Sequence, residues 1–420
     1  MNIILFDDPV LRANLLPLTF TRPVAEIRIG IMTIAQKWQL LSGGVVSYLA
    51  EDYLQSKFRQ RLEGGKNFYV NGAVCPTADL VAQINQLPAG GTLFQDSLLV
   101  ALNADSLELG SVEEVYQHTT THRKQIELPP HAVIQQLWDI FRFNGAQIRE
   151  DFQLVTRGRV SQPLADPHTV AYNAENIFIE EGAQFKAAIL NAENGPIYIG
   201  KNAQIQEGTV IRGPFAICEE SVINMGGKMR GDVTIGPFCK VGGEISNCVF
   251  FGHSNKSHDG FLGNSVVGEW CNFGADTNTS NLKNNYSNVK LYSHAQEKFV
   301  DTGLQFCGLI MADHAKTGIN TMFNTGTVVG VGANVFGAGY PPNFIPSFTW
   351  GGGAEPQTFK LPKFYEVAGA VFGRRGLTVT QEDRAIFDHL FEVTKPSRTW
   401  EEAPAGTIAS PQKTEVTGQK

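Results

Sequence analysis

Apolar residues recur at every sixth position through the middle of the chain. Eight of them fall on one register without a gap, and small or apolar residues often follow them four places later. The eight are Ile199, Ile205, Ile211, Ile217, Ile223, Met229, Ile235 and Val241. An α-helix repeats its face every 3.6 residues and a half-buried strand every two, so this spacing fits neither element over such a length. It predicts a coil of very short strands, in which each unit buries one aliphatic side chain and successive coils stack at a strand spacing of about 4.8 Å.

The register of this ladder breaks at 247–262, where the sequence reads NCVFFGHSNKSHDGFL. It resumes two places out of phase with Phe261, Val267 and Phe273, and a polar loop at 276–290 follows. The six-residue spacing then returns in Met311, Thr317, Phe323, Val329 and Val335. A break in a solenoid is where a side chain or loop leaves the stack, and sites concentrate at such places. We therefore expect the functional site of the coil at 247–262.

The chain before residue 152 has the alternating elements of an α/β domain. A buried strand is predicted over 2–6, and an amphipathic helix over 30–41 follows a loop rich in arginine and aspartate. Within the segment 68–76 a second strand ends at Asn71-Gly72, a helix over 78–86 follows, and a further helix over 137–152 leaves the domain. A buried strand, a polar loop and then a helix is how nucleotide-binding α/β domains begin.

Proline and glycine end the coil pattern at 339–353. Two amphipathic helices are predicted beyond it, over 363–376 and 380–394, and we expect them to cover the open end of the coil, whose edge strands would otherwise be exposed. The predicted domains are an α/β domain over 1–152, a coil over 153–353, C-terminal helices over 354–400 and a polar, disordered tail over 401–420.

Composition narrows the possible partners and the cellular compartment. Charged residues make up 18% of the chain, glycine numbers 43, and the formal net charge is −7. A negative net charge does not favour nucleic acid or an anionic membrane as a partner. The N-terminus turns acidic too soon for a signal peptide, and no apolar run approaches the roughly 20 residues that span a bilayer. Six cysteines without paired spacing indicate small buried residues in a reducing cytoplasm.

The N-terminal segment resembles the sugar nucleotidyltransferase superfamily. The resemblance lies in Leu5, which closes the first strand, then Arg12, then Leu16-Pro17-Leu18-Thr19. In that superfamily a Gly-rich, Arg-containing loop wraps the nucleoside triphosphate, with backbone N–H groups around the phosphates and basic side chains neutralising them. Here Asp7-Asp8-Pro9 replaces the glycine-rich loop, and Arg22-Pro23 stands where a Pro-Lys pair is expected.

Without those glycines, nucleotide binding would depend on basic side chains and one acid. The candidates are Asp7, Arg12, Arg22, Arg28 and Lys37. The alternative is that these side chains form a solvated face of a degenerate domain. The resemblance also implies Mg²⁺, which binds one or two carboxylates together with substrate phosphate, and Asp7, Asp105 and Asp139 are the candidate ligands. Nothing in the segment distinguishes UTP from dTTP.

The segment over 241–282 resembles the acetyltransferase half of the bifunctional glucosamine-1-phosphate acetyltransferase and N-acetylglucosamine-1-phosphate uridyltransferase family. Glu244, His258, the run over 263–268 and the run over 272–281 match the family's motifs without gaps. That family joins a nucleotidyltransferase domain to a C-terminal left-handed parallel β-helix of hexapeptide repeats, the order inferred for this chain. The implied fold is therefore a Rossmann-like N-terminal domain, then this β-helix, then the C-terminal helices.

The resemblance implies roles for residues of the coil. His258 would be the general base that takes a proton from the amine of glucosamine 1-phosphate as this attacks acetyl-CoA, the co-substrate. The residues implied for the sugar phosphate are Arg230, Glu244, Lys256, Phe261 and Asn272, and those for acetyl-CoA are Ala275 and Asn281. Departures from the family at Ser246, Phe261, Leu282 and Asp276 leave the amino sugar less defined than the acyl transfer.

The resulting hypothesis is a cytoplasmic homotrimeric enzyme that makes UDP-N-acetylglucosamine in two steps from small-molecule substrates. Two alternatives keep only the N-terminal resemblance: the coil serves for oligomerisation, or the enzyme is similar to glucose-1-phosphate thymidylyltransferases. Another alternative compares the coil with hexapeptide-coil carbonic anhydrases. It requires His253, His258, His294 and His314 to converge on Zn²⁺, which needs three convergent ligands and an open position.

Overall fold

A computed structural model describes residues 1–119, 122–353 and 355–401. The N-terminal domain is built on a six-stranded mixed sheet. The strands are β1 (Asn2–Phe6), β2 (Arg28–Ile29), β3 (Met32–Thr33), β4 (Val45–Leu49), β5 (Asn67–Asn71), β6 (Gly91–Gln95), β7 (Leu98–Asp105) and β8 (His122–Gln125). The helices are α1 (Pro9–Asn14), α2 (Ile34–Ser42), α3 (Asp52–Gln55), α4 (Ala78–Asn85), α5 (Val112–Gln117) and α6 (Asp139–Thr156), with a 3₁₀ turn at Val24–Glu26. The sheet order is β4-β1-β5-β7-β6-β8, and β2 and β3 form a separate hairpin. Strand β1 is parallel to β4 and β5, so the carboxyl ends of these three strands meet at one edge.

The first predicted strand is confirmed, and the helix predicted over 30–41 begins later. Residues 28–33 pair as the antiparallel β2–β3 hairpin, so α2 begins at Ile34. Thr33 and Gln36 form a reciprocal capping box at its first turn, which satisfies N–H groups that the helix itself leaves without partners. Helix α6 continues past residue 152 to Thr156, and the predicted domain limits remain predictions.

The middle of the chain winds into a parallel β-solenoid of about ten turns. Each coil places a short strand on each of three faces, which we call faces A, B and C. Face A contains β9 (Val170–Tyr172), β12 (Ile189–Asn191), β15 (Val210–Arg212), β18 (Lys228–Met229), the first halves of β21 (Glu244–Gly252) and β23 (Phe261–Glu269), β24 (Asn278–Thr279) and β29 (Met322–Phe323). Face B contains β10 (Ile177–Ile179), β13 (Ile197–Ile199), β16 (Phe215–Ile217), β19 (Val233–Ile235), the second halves of β21 and β23, β27 (Leu309–Met311), β30 (Thr327–Val329) and β32 (Phe344–Ile345). Face C contains β11 (Gln184–Phe185), β14 (Gln204–Ile205), β17 (Val222–Ile223), β20 (Lys240–Val241), β22 (Asn255–Lys256), β28 (Lys316–Thr317), β31 (Asn334–Val335) and β33 (Thr349–Trp350), which β34 (Gln357–Thr358) extends.

The six-residue ladder is the core of this solenoid. All eight residues from Ile199 to Val241 point inward, and each is at most 1% exposed. Their side chains stack coil upon coil in one continuous apolar cluster. Burying such a side chain contributes roughly 1.5–3 kcal/mol, so the repeat by itself specifies the solenoid.

The sequence predicts that a side chain or loop leaves the stack at the register break, whereas the structure shows two long strands there. Strands β21 and β23 are each nine residues long and pass from face A to face B without a turn, because β21 pairs with both β18 and β19. No loop leaves the stack at 247–262. Leu262 takes the inward position and is 1% exposed, whereas Phe261 is half-buried, so assigning Phe261 to the ladder is wrong. The excursion comes later, between β24 and β27, and it carries the hairpin β25 (Lys290–Ser293) and β26 (Lys298–Asp301).

Face B is covered by the N-terminal domain. Helix α6 lies across β16, β19, β21 and β23, and outward apolar residues of face B belong to the same clusters as apolar residues of the N-terminal domain. These outward residues include Phe178, Ala216, Val249, Val266 and Ile310. Strands of face B are therefore buried on both sides, which is why they read as continuous apolar triplets such as FAI and LIM.

The two predicted C-terminal helices are confirmed as α7 (Leu361–Gly373) and α8 (Gln381–Val393), and two 3₁₀ turns follow at Lys395–Ser397 and Thr399–Glu401. The helices pack on the corner between faces B and C. Phe372 of α7 stacks on Trp270 with ring centroids 4.2 Å apart and on His314 at 5.7 Å. Of the predicted tail over 401–420, Glu401 ends the second 3₁₀ turn, and residues 402–420 lie outside the described residues. Within the described ranges, none of the helices has the length and apolar character needed to cross a membrane.

Candidate functional site

His258 lies in the corner where the chain turns from face C to face A, between β22 and β23. Its side chain is exposed, while the backbone of the corner is stacked directly on the neighbouring coils. A methyl group at Gly243 would lie 2.7 Å from the carbonyl oxygen of Gly260, and one at Gly260 would lie 2.2 Å from that of Thr277. Only glycine fits at these two positions, so the imidazole stands on a corner that its neighbours hold rigidly.

Glu244, Arg230 and Phe261 lie beside this corner on face A. The N–H of Glu244 donates to the carbonyl of Gly260 at 3.2 Å, and Glu244 pairs in register with Phe261 on the next coil. The guanidinium of Arg230 lies 2.8 Å from the Glu244 carboxylate. Both partners of this ion pair reach solvent, and such a pair contributes only about 0–1 kcal/mol. A bound phosphate could therefore compete for Arg230 at little cost.

The three remaining predicted surface residues lie farther apart. Asn272 is exposed on face C, where it bridges the strands of Asn255 and Lys316. Ala275 is half-buried in the next corner above that of His258. The Asn281 side chain donates to Asn264 at 2.8 Å, beyond the strand segment of face A that begins at the His258 corner. One small sugar phosphate at His258 would not contact all three, whereas an extended cofactor could follow face A toward Asn281.

Asn278 and Lys228 are two site residues that the sequence reasoning missed. Asn278 lies directly above Phe261 on face A, and its side-chain carbonyl accepts the Phe261 N–H at 2.8 Å. Lys228 pairs in register with Glu244 on the coil below. On face A, Lys228, Glu244, Phe261 and Asn278 therefore form one outward column on four successive coils. The sequence over 272–281 could have indicated Asn278, because polar residues alternate there in the way expected for side chains that point outward.

The position of Lys256 requires a correction. It occupies an inward position of the ladder, paired with Val241, and is 2% exposed. Its ammonium donates to the carbonyls of His258 at 3.1 Å and Asp259 at 3.3 Å. Burial lowers the pKa of Lys256 to about 8. Because the charge lies inside the solenoid, Lys256 does not reach a sugar phosphate on the outer surface.

Three of the basic residues predicted for nucleotide binding are buried in internal contacts. Arg22 pairs with Asp313 of the solenoid. Arg28 donates to the carbonyl of Phe251 at 2.9 Å and also contacts the carbonyl of Ile31. The Lys37 ammonium lies 2.9 Å from the carboxylate of Asp151 in α6, and its hydrocarbon chain is equally enclosed. These side chains join the N-terminal domain to helix α6 and the solenoid. They are therefore neither free to bind a phosphate, as predicted, nor part of a solvated face, which was the alternative.

Asp7 and Arg12 lie at the carboxyl edge of the parallel strands. Asp7 accepts the N–H of Val24 at 2.8 Å, and burial raises the pKa of its carboxyl group to about 7. Arg12 donates to the hydroxyl of Tyr53 at 2.6 Å and lies 3.5 Å from Glu51. The Asp8 carboxylate accepts the N–H groups of Val10 and Leu11, both at 3.0 Å. The acidic residue thus satisfies the N–H groups at the start of α1 that the family's glycine-rich loop would offer to phosphate.

The three candidate magnesium ligands do not form one site. Asp7 follows the last residue of β1, whereas Asp105 ends β7 opposite Asn67, the first residue of β5. Strands of five residues separate these two edges by roughly 13–17 Å. Asp139 instead accepts the N–H groups of Gln135 and Gln136 at 3.0 and 2.9 Å, which holds the turn that leads into α6. The carboxylates present do not fit a shared Mg²⁺ site, and no group of three or more acidic, histidine or cysteine side chains converges in the described ranges.

The four histidines considered for zinc do not converge either. His253 is stacked between Phe238 and Trp270, with centroid distances of 5.0 and 4.2 Å. His314 packs among the phenylalanines of α7 and α8, and His294 lies against Tyr292 of the β25–β26 hairpin. His258 is exposed at its own corner. The carbonic-anhydrase comparison is therefore not supported by the positions of these rings.

Residues 3–160 match the family model described as "Sugar nucleotidyl transferase". The match covers the whole six-stranded sheet and ends just after α6. The N-terminal domain is therefore similar to sugar nucleotidyl transferases. As a whole the chain is GlmU-like, with this domain followed by a left-handed parallel β-helix.

Three curated relatives illustrate the similarity of this GlmU-like chain. "Bifunctional protein GlmU" of Methanocaldococcus jannaschii is 34% identical over 87 residues, 21% of this chain and 21% of that protein. "Bifunctional sugar-1-phosphate nucleotidylyltransferase/acetyltransferase" of Sulfurisphaera tokodaii is 30% identical over 144 residues, 34% of this chain and 35% of that protein. "Bifunctional protein GlmU" of Synechococcus elongatus is 23% identical over 211 residues, 46% and 41% of the two chains. The chain thus spans less than half the length of each of these relatives.

Proposed function

We propose that the solenoid transfers an acetyl group from acetyl-CoA to the amine of glucosamine 1-phosphate. The observation that carries this proposal is the corner of His258, where an exposed imidazole on a rigid backbone stands beside Glu244 and the Arg230 guanidinium. A base, an anion-binding cation and a hydroxyl-binding carboxylate on one face are what an amino-sugar phosphate requires. The printed names of the relatives, which include an acetyltransferase, agree with this assignment.

His258 would act as a general base in this reaction. The amine nitrogen attacks the thioester carbonyl carbon, and His258 takes the proton that the nitrogen loses as the C–N bond forms. The tetrahedral intermediate then expels the thiolate of CoA, which takes up a proton to give free CoA and the N-acetylated sugar phosphate. A histidine can change protonation near neutral pH and is suited to both steps. Glu244 would bind sugar hydroxyls, and Arg230 would bind the phosphate.

A second activity is proposed for the N-terminal domain, namely transfer of a uridylyl group from UTP to N-acetylglucosamine 1-phosphate with release of pyrophosphate. The match of residues 3–160 to the sugar nucleotidyl transferase model supports it. The resemblance implies Mg²⁺ for this step, but the described carboxylates do not form a shared metal site. The carboxyl edge at Asp7 and Arg12 is the region where substrate would bind, by the general rule for open α/β sheets. A sugar-1-phosphate nucleotidyltransferase with a purely oligomerising coil, including a thymidylyltransferase, is the competing function.

We also propose a homotrimer formed through the solenoid. Val170, Ile189 and Val210 stand outward in register at the start of face A, and they are 48%, 41% and 37% exposed. An aligned apolar strip on a soluble surface is typical of an interaction site. The corner of His258 is open on one side, so a neighbouring copy that packs on face A would complete the wall of the acetyl-transfer site.

One experiment tests the two activities separately. Purified protein is mixed with acetyl-CoA, glucosamine 1-phosphate, UTP and Mg²⁺, and the release of CoA and of pyrophosphate is followed for wild type, His258→Ala and the exposed control His168→Ala. We expect His258→Ala to lose CoA release by about 10²- to 10⁴-fold and His168→Ala to keep it. Wild-type CoA release by His258→Ala would disprove the acetyl-transfer mechanism. Absence of pyrophosphate with both UTP and dTTP, when N-acetylglucosamine 1-phosphate is supplied directly, would disprove the nucleotidyl transfer.

A further inference from the structure

We propose that Lys256 is a positioning residue for acetyl transfer: its buried ammonium holds two carbonyls of the His258 corner inward, so that the N–H groups of Asp259 and Gly260 face the acyl group and stabilise its oxyanion. The inference rests on the proposed acetyl transfer and adds the part of the site that binds the developing negative charge. Lys256 acts through the backbone and touches no substrate atom.

The ammonium of Lys256 is enclosed within the solenoid and does not reach the outer surface, since the residue is only 2% exposed. Its side chain extends from the inward position of face C, between the levels of Val241 and Phe273, toward the next corner. There it donates to the carbonyls of His258 and Asp259. The charged or ionisable groups that face it are Cys248 of β21, Asp259 of the same corner and Asp276 of the corner above.

The direction of the N–H groups follows from the geometry of the peptide bond. Both peptide bonds of this corner, 258–259 and 259–260, are trans, because the cis bonds of the described chain lie elsewhere. In a trans peptide the C=O and the following N–H point in opposite directions. Since both carbonyls point to the buried ammonium, the N–H groups of Asp259 and Gly260 point away from it, toward the surface that carries the imidazole.

These two N–H groups differ from those of a comparable corner. In the corner that joins faces C and A at Gly226 and Gly227, each N–H donates to a carbonyl, that of Glu207 at 2.9 Å and that of Asn224 at 3.1 Å. Within the described ranges of the chain, neither Asp259 nor Gly260 donates its N–H to a protein acceptor. Two adjacent donors are therefore available beside the general base, and an ammonium bonded to their carbonyls polarises both peptides.

The arrangement suits the intermediate of the reaction. Attack of the amine on the thioester carbon converts its carbonyl oxygen to an oxyanion, which needs preorganised donors at about 2.7–3.1 Å. Collapse of that oxyanion re-forms the carbonyl and breaks the C–S bond, with the electron pair leaving on sulfur. A lysine in an aliphatic ladder is costly to bury, which is explained if its charge serves this step.

The test compares Lys256→Met with a matched variant of Lys316, a half-buried lysine of the same face. Lys316 on face C also donates to a corner carbonyl, that of His314 at 2.9 Å, and burial lowers its pKa to about 8 as well. Steady-state acetyl transfer from acetyl-CoA to glucosamine 1-phosphate is measured for wild type, Lys256→Met, Lys256→Gln and Lys316→Met over pH 6.5–9.5. Methionine fits the aliphatic ladder, and glutamine is the second variant should methionine disturb folding.

We expect Lys256→Met to lower kcat by about tenfold or more, with both KM values within about twofold of wild type, since transition-state binding alone is lost. Wild-type kcat should fall as the pH rises above about 8, where Lys256 loses its proton, and this fall should be absent in Lys256→Met. Lys316→Met should keep wild-type kcat. Unchanged kcat in Lys256→Met, or an equal loss in Lys316→Met, overturns the inference. A wild-type protein without any acetyl transfer would instead refute the proposed function.

Discussion

The guanidinium of Arg22 and the carboxylate of Asp313 form a buried ion pair that joins the N-terminal domain to the corner between faces B and C of the solenoid. The Thr21 hydroxyl donates to the same carboxylate at 2.7 Å, and the Glu269 N–H donates to its other oxygen at 2.8 Å. Glu269 itself lies 3.5 Å from Arg22. The carboxylate is fully hydrogen-bonded, so this contact fixes the N-terminal domain on the solenoid.

Removing Asp313 should destabilise the protein strongly. Asp313→Ala leaves the buried Arg22 without its closest counter-charge, with Glu269 at 3.5 Å still nearby, and we expect a loss of about 3 kcal/mol in the free energy of unfolding. Urea denaturation followed by circular dichroism measures it. Glu366→Ala is the control, because its ion pair with Lys363 is exposed and should be worth about 0–1 kcal/mol. Equal losses in the two variants would contradict the interface role of Asp313.

Asp7 should make stability fall as the pH rises, although its carboxylate lies 3.8 Å from the Arg12 guanidinium, because burial outweighs this ion pair. Burial raises the pKa of Asp7 to about 7, above its unfolded value, so the folded state binds the additional proton. This contribution is present at low pH and is lost as the pH rises from about 4 through 7. Asp7→Asn keeps an acceptor for the Val24 N–H and should be more stable than wild type at pH 8 by roughly 1–3 kcal/mol.

The comparison between pH 4.5 and pH 8 separates this effect from the other titrating groups. The difference between Asp7→Asn and wild type should shrink as the pH is lowered, because the wild-type carboxyl group is then protonated as well. Denaturant titrations at both pH values measure it. A constant difference, or a variant that is less stable at pH 8, would show that the Asp7 carboxyl group is ionised in the folded protein.

Phe372 should hold helix α7 on the solenoid. Its ring stacks on Trp270 at 4.2 Å and on His314 at 5.7 Å, and it is 8% exposed. Truncating a buried phenylalanine costs about 3–5 kcal/mol, so Phe372→Ala should lower the stability markedly and make α7 and α8 sensitive to limited proteolysis. Leu377→Ala, at an exposed site just beyond α7, is the control. Wild-type protease resistance in Phe372→Ala would indicate that the other contacts of α7 suffice.

The apolar strip on face A should determine the oligomeric state. Ile189→Glu places a charge in the middle of the strip and should convert a trimer, three times the 45.9 kDa of one chain, to a monomer in light scattering. CoA release should fall with it if a neighbouring copy completes the site. Val160→Glu, at the much more exposed position outside the strip, should leave the mass unchanged. A wild-type protein that is itself a monomer refutes the proposed trimer.

The predictions from sequence were most accurate where a regular spacing of apolar residues specifies the structure. The buried residues from Ile199 to Val241 and the two C-terminal helices are present as predicted. All six cysteines are buried thiols. The placement of His258 beside Glu244 also follows from the repeat, because residues about one coil apart in sequence stack on neighbouring strands.

The errors concern residues whose role depends on what packs against them. Arg22, Arg28 and Lys37 have the composition of a phosphate-binding set, but face B and helix α6 cover them and supply their partners. Lys256 was expected to contact the sugar phosphate, whereas its place in the ladder directs its side chain inward. Asp7 and Asp105 were both candidate Mg²⁺ ligands, but the strand directions place them at opposite edges of the sheet.

The sequence by itself determined that a coil of short strands follows an α/β domain, and that one corner of this coil carries a histidine in a recognisable motif. Periodicity is a local property, and a repeating apolar position leaves few ways of burying it. Only the tertiary structure decided which face the N-terminal domain covers, where each basic side chain finds its counter-charge, and that the ammonium of Lys256 lies beneath His258. Those outcomes depend on desolvation and on pairing between residues far apart in sequence, which no local pattern records.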